Sequence, residues 1–146
     1  MGVYTRFKKN PDGMRQLVEL LESTPLSRRQ KMIDVGMKED PDYTQRALEY
    51  MITFEDVMTL PDMELADVLA EVPGRLTALA IYSAKQEVKD RFLAKSNPRV
   101  AAEIREFLET PQVSASQIGG GQMKMIEATR KLEKRGIVKT KRVPGD

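Results

Sequence analysis

The chain has 146 residues, 40% apolar and 32% charged, with only 5% aromatics and with neither cysteine nor histidine. Such a composition describes a globular chain with an aliphatic core, and it removes zinc and iron–sulfur sites, thiol nucleophiles, imidazole bases and disulfides together. Net charge is +2, no apolar run reaches the roughly 20 residues of a bilayer span, and the amino-terminal stretch is unlike a secretory signal, so the cytoplasm is the expected location.

Residues 1–11 hold Arg6, Lys8 and Lys9 without periodicity and read as a flexible basic arm outside the fold. After Pro11-Asp12-Gly13, the apolar positions Met14, Leu17, Val18 and Leu21 follow the i, i+3, i+4, i+7 pattern of an amphipathic helix that stops near Thr24-Pro25. Ser27 reads as the N-cap of a second helix with Met32, Ile33 and Val35. Asp40-Pro41 supplies a cap and a proline at the first helical position for a third, with Tyr43, Ala47, Leu48 and Met51 inward. Short consecutive helices, each apolar on one side, suggest an armadillo-like stack.

Thr53 and Asp56 resemble a capping box, with Phe54 and Val57 facing inward behind it. Pro61-Asp62 opens a helix with Leu65, Val68, Leu69 and Val72 on one side, and Pro73-Gly74 closes it; Leu76, Leu79 and Ala80 mark the next. Ser83 with Gln86 reads as a second capping box, heading a helix with Val88, Phe92 and Leu93 inward. Asn97-Pro98 starts a helix striped by Val100, Ile104, Phe107 and Leu108, whose outer face carries Arg99, Glu103 and Glu106, with Arg105 and Glu109 spaced to pair beside them.

From Pro111 onward one long amphipathic helix is interrupted by Gly119-Gly120-Gly121. Three glycines cost on the order of 3 kcal/mol relative to alanine in a helix interior, so a flexible joint is expected there. The following helix, with Met125, Ile126, Thr129 and Leu132, ends at Gly136 as a left-handed cap, with Ile137 and Val138 packing back.

The triple glycine lacks both the preceding strand and the Gly-Lys-Ser/Thr ending of a phosphate loop, so no nucleotide or other cofactor is expected. The acidic pairs Glu55-Asp56 and Asp40/Asp42 sit at helix starts, where carboxylates stabilise the first turn, and no catalytic residue or metal ligand is assigned. Residues 122–146 carry 8 Lys/Arg against 3 Asp/Glu, leaving 16 against 19 elsewhere. A nucleic-acid contact through Lys131–Arg142 is the alternative reading of that excess; a solvated last helix, with cations favoured at its carboxyl end, is the simpler one. Most of the nine methionines fall on or beside apolar stripes and read as core.

The stretch "EDPDYTQRALEYMITFEDVMTLPDMELADVLAEV" resembles the joint region in the carboxy-terminal half of FliG, the bacterial flagellar motor switch protein. Glu39-Asp40-Pro41 stands where that family has its acidic segment, Met51-Ile52-Thr53-Phe54 where it has a Met-Phe-x-Phe hinge, and Glu55-Asp56-Val57 follows as in the family. The runs "LTALAIYSAKQEVKDRFLAKSNPRVAAEI" and "RKLEKRGIV" are also similar to family segments, which extends the resemblance over about residues 12–140.

The resemblance implies an all-α protein: an armadillo-like subdomain at 12–52, a hinge at Met51, Ile52, Thr53 and Phe54, and a six-helix subdomain with a basic tail at 53–146. It implies a non-enzymatic role in motility, with switch-complex subunits as partners (a FliG middle domain, a FliM-type protein) and the cytoplasmic loop of the MotA stator facing a charged helix. On that helix Arg99 and Glu106 match the family's charged positions, whereas its second acidic position falls on Phe107, an upstream lysine on Tyr82 and a following arginine on Ser114. The armadillo-like piece is expected to stack on a neighbouring subunit through Leu17, Leu21, Met32 and Ile33, in an exposed apolar groove over 14–37. No small-molecule substrate and no nucleic acid follow from the resemblance, and any approach to the membrane would come through partners.

Overall fold

The computed structural model describes residues 2–144, and these form ten helices without a strand. The chain divides into two units: residues 1–52 with 141–146, and residues 53–140. Met1 of the expected arm and Gly145-Asp146 of the expected tail lie outside the described residues.

The first unit holds α1 (Val3–Lys9), α2 (Gly13–Ser23), α3 (Leu26–Glu39) and α4 (Pro41–Tyr50). Its core is built on the stripe of α2, where Leu17, Val18 and Leu21 are fully enclosed and pack with Tyr43, Ala47 and Met51. Enclosing each such side chain contributes roughly 1.5–3 kcal/mol. Asp40 caps α4 by accepting the Tyr43 N–H at 3.2 Å, with Pro41 at the first helical position.

Two expectations for this unit are overturned. The amino-terminal arm is not loose: α1 buries Tyr4 in the core, its hydroxyl donates to the Met32 carbonyl at 2.5 Å, and the Thr5 N–H donates to Glu39 at 2.7 Å. Gly36 lets α3 approach here, because a Cβ at this position would fall 2.4 Å from the Tyr4 ring and 2.5 Å from the Thr44 hydroxyl. Burial, and then the Glu39 charge, hold the Tyr4 phenol above its ordinary pKa. Ser27 is not the cap of α3 either; the helix starts at Leu26, behind Pro25, without a side-chain cap.

The second unit holds α5 (Phe54–Met58), α6 (Asp62–Glu71), α7 (Gly74–Ile81), α8 (Gln86–Lys95), α9 (Pro98–Leu108) and α10 (Ala115–Lys134). The capping box at Thr53 and Asp56 forms in both directions. That at Ser83 does not: α8 starts at Gln86 behind Lys85, and the Gln86 amide instead donates to Asp90 at 2.9 Å. Leu65, Val68, Leu69, Ile81, Phe92, Ile104, Met125 and Leu132 are enclosed.

The expected break at Gly119-Gly120-Gly121 is absent. Helix α10 runs unbroken for 20 residues, about 30 Å, and packs along α7 with further contacts to α5 and α6. Ser114 and Gln117 form a reciprocal capping box at its start. At its end Gly136 has φ +77°, the Ile137 N–H donates to the Leu132 carbonyl at 2.9 Å and the Gly136 N–H to Glu133 at 3.0 Å, the bonding of a Schellman cap. Val138 packs back as expected, whereas Ile137 stays exposed.

Surface carboxylates add a pH-dependent component. Asp40 accepts from Lys8 at 3.0 Å as well as from Tyr43, and Asp62 accepts from Arg91 at 2.9 Å and pairs with Lys95 at 3.3 Å. The Lys8 hydrogen bond chiefly lowers the Asp40 carboxyl below its ordinary value, and the Arg91 hydrogen bond does the same for Asp62. A lowered folded-state value means stability that is present above the unfolded value of about 3.9 and is lost as pH falls through the folded one. Below about pH 4 the urea midpoint should therefore fall more gently in an Asp40→Asn/Asp62→Asn variant, which keeps hydrogen-bonding shape without charge, than in the parent chain. Parallel pH profiles would refute this assignment.

Candidate functional site

No group of His, Cys, Asp or Glu among the described residues could hold a metal ion, and no helix among them is long and apolar enough to cross a membrane. The features with something to offer a partner are helix faces.

Helix α9 begins where Asn97 accepts the Val100 N–H at 2.9 Å and Pro98 sets the first turn. Ala101 and Ile104 are buried, so the opposite face turns outward with Arg99 and Glu106 exposed. Neither makes an ion pair among the described residues. Glu103 is set apart from them. Its carboxylate accepts the Arg75 N–H at 3.3 Å at the start of α7, and its side chain lies against Gly74, where a Cβ would come within 3.0 Å of it. A carboxylate there meets the positive end of α7, which gives Glu103 a structural task within the unit. Phe107, expected in the core, is 39% exposed and joins the outer surface.

The two other positions aligned with the family's charges sit beside this helix. Tyr82 donates its hydroxyl to the Thr110 carbonyl at 2.6 Å, and Tyr82, Pro111, Val113, Ser114 and Gln117 line one shallow open depression. That patch is neutral and partly apolar.

The expected stacking residues divide in two. Leu17 and Leu21 are fully enclosed by their own unit and offer nothing to a neighbour; their regular spacing marks an internal core. Met32 and Ile33 are half-buried against the same core. The exposed apolar residues of this unit are others: Leu26 at 64%, Val35 at 54%, Val3 at 44%, Met37 at 41% and Leu20 at 40%. Helix α3 buries only Gly36 of its 14 residues. Leu26, Ile33 and Met37, at i, i+7 and i+11, fall on one side of it, with Leu26 and Met37 exposed and Ile33 half-buried.

At the junction, Met51 and Ile52 are buried in the first unit, while Thr53 and Phe54 begin the second. The four expected hinge residues thus straddle a boundary at a single peptide bond. The buried Glu22 carboxylate accepts the Ile52 N–H at 2.7 Å, and Phe54 packs against Phe92 with ring centroids 6.4 Å apart.

The basic carboxyl side is partly built into the fold. Arg130 is enclosed and paired with Glu133 at 2.7 Å, and Lys141 donates to the Met51 carbonyl at 3.1 Å. Another structural cation, Arg91, escaped sequence reasoning; it donates to the Met58 and Leu60 carbonyls at 2.7 and 2.5 Å, fixing the loop before α6, and no local spacing announces so distant a contact.

The model of the FliG C-terminal domain matches residues 37–139. The chain is 27% identical over 146 residues to the flagellar motor switch protein FliG of Thermotoga maritima, covering 99% of this chain and 44% of that protein. Against FliG of Bacillus subtilis the identity is 24%, over 99% of this chain and 43% of that one. The chain therefore spans less than half the length of these relatives. Among solved structures, a Helicobacter pylori FliG fragment superposes with TM-score 0.66 at 21% identity over 87% of this chain and 60% of that one, a likeness of fold. Full-length FliG from Aquifex aeolicus gives 0.55 at 28% identity, over 85% of this chain and 39% of that one. With a family match over residues 37–139, most of its length, the chain belongs to the FliG C-terminal domain family.

Proposed function

We propose that this chain works as a non-enzymatic part of a flagellar motor switch complex. Its first unit docks on a neighbouring switch subunit through α3, in the manner of an armadillo-like stack, and its second presents Arg99 and Glu106 on α9 to the cytoplasmic loop of a stator. Family membership supports the assembly, since the relatives are flagellar motor switch proteins. The observation that carries the docking is the exposure of Leu26, Val35 and Met37 on a helix with a single buried residue. A helix with so little cover is stabilised when a partner takes its exposed apolar side chains out of water.

The charged face has a different task. Exposed ion pairs contribute about 0–1 kcal/mol each, so Arg99 and Glu106 would steer and orient a partner more than hold it. The partner for α3 in this reading is the middle domain of a FliG subunit. Titration calorimetry of the chain against a purified FliG middle domain tests it. A Leu26→Asp/Met37→Asp variant should weaken binding by about tenfold or more, while its urea midpoint stays close to the parent's because both residues are exposed. Undiminished binding by the variant, or no binding by the parent chain at high micromolar concentration, would count against the proposal.

A further inference from the structure

Residues Lys141–Val143 belong to the first unit, although the chain reaches them only after completing the second. Val143 is 2% exposed within the core that α2 and α4 build, and its carbonyl accepts from Arg15 at 3.1 Å. Lys141 adopts φ +43°, a left-handed conformation that a non-glycine residue keeps only where its surroundings fix it. Its ammonium donates to the Met51 carbonyl at 3.1 Å. The N–H of that same peptide group, on Ile52, donates to the buried Glu22 carboxylate at 2.7 Å.

The last peptide before the junction is thus held at both polar atoms, once by a side chain of α2 and once by the returning segment. We propose that Lys141–Val143 is a releasable strap that locks the Met51–Ile52 peptide. Engaged, it leaves the chain free to pivot only from Thr53 onward. Released, it lets the pivot extend back into Met51 and Ile52. One valine and a few hydrogen bonds make a hold far smaller than the core of α2 and α4, and a contact of that size opens locally without unfolding its unit.

Amide hydrogen exchange on the full chain tests the strap, with the Ile52 amide as reporter and those of Leu21 in α2 and Met125 in α10 as references. In Val143→Ser the Ile52 amide should exchange about tenfold faster or more, with both references changing by less than about twofold. An unchanged Ile52 rate overturns the proposal. So does an equal acceleration at Leu21, which would make the segment an inseparable part of the core. Should Val143→Ser unfold the first unit, Lys141→Met decides alone: it keeps the aliphatic stem and removes the bond to Met51, and the same two readings apply.

Discussion

Alanine at Gly119 or Gly120 is expected to stabilise the protein, and alanine at Gly121 to destabilise it. The three substitutions are identical in chemistry and lie within one turn of α10. Each should gain about 1 kcal/mol of helix propensity. At Gly119 and Gly120 nothing lies within 4 Å of the added Cβ, so that gain is all that happens. At Gly121 the Cβ would fall 2.7 Å from the Leu76 carbonyl oxygen, 2.8 Å from the Ala80 nitrogen and 2.9 Å from the Leu79 Cβ. Two of these are backbone atoms of α7, which cannot rotate away, so α7 and α10 must separate along their contact. Overpacking of this kind costs roughly 1–3 kcal/mol and reverses the sign. Urea unfolding of the three single variants reads the result; a shift in the same direction for all three would show that no close approach is being enforced. The same comparison distinguishes a packed helix from a joint, because a flexible linker would respond alike at each position.

The glycines also mark where sequence reasoning stopped. Propensity is local, and on that ground three glycines in a row break a helix. Gly121 faces α7, and the partner that rewards its missing side chain lies some 40 residues earlier in the chain, where no spacing rule reaches. The features that were legible are local in the same sense: the α2 stripe, the caps at Asp40, Thr53 and Asn97, and the Gly136 ending each depend on neighbours within about one or two turns. The box at Ser114 and Gln117 follows the same rule, with its partners three residues apart. Helix α1 was not legible, since Tyr4 and Thr5 find their partners at Met32 and Glu39.

The candidate surfaces were harder still, because periodicity reports what a helix buries. The strongest stripe, Leu17 to Leu21, is the core and not a docking face; the exposed Leu26 and Met37 stand on a helix with a weak pattern. Spacing alone groups Glu103 with Arg99 and Glu106, whereas its commitment to the start of α7 is a contact 28 residues distant.

Removing one member of the Arg130–Glu133 pair is expected to be among the most damaging single substitutions in the second unit. The two lie three apart in α10, 2.7 Å from one another, with side chains only 4% and 3% exposed. Taking each charge out of water costs several kcal/mol, which is offset only while the opposite charge stands beside it. Arg130→Met keeps the aliphatic bulk and leaves the Glu133 carboxylate enclosed without its guanidinium, a loss of about 3–5 kcal/mol in urea unfolding. The Arg130→Met/Glu133→Leu variant removes the enclosed carboxylate as well and should recover part of that loss, because an apolar pair of similar volume avoids the desolvation of both charges. A small effect of Arg130→Met, or a double variant as weak as the single one, would mean that the pair is hydrated and free to serve the surface. The expected outcome has a consequence for the basic carboxyl side of the chain: Arg130 is then a structural cation bound to its own helix, unavailable to an external phosphate. Of the positive charges that remain outside, Lys131, Lys134 and Arg135 stand at the end of α10, where cations are favoured by the helix's own carbonyl end, while Lys139 and Arg142 follow it, exposed.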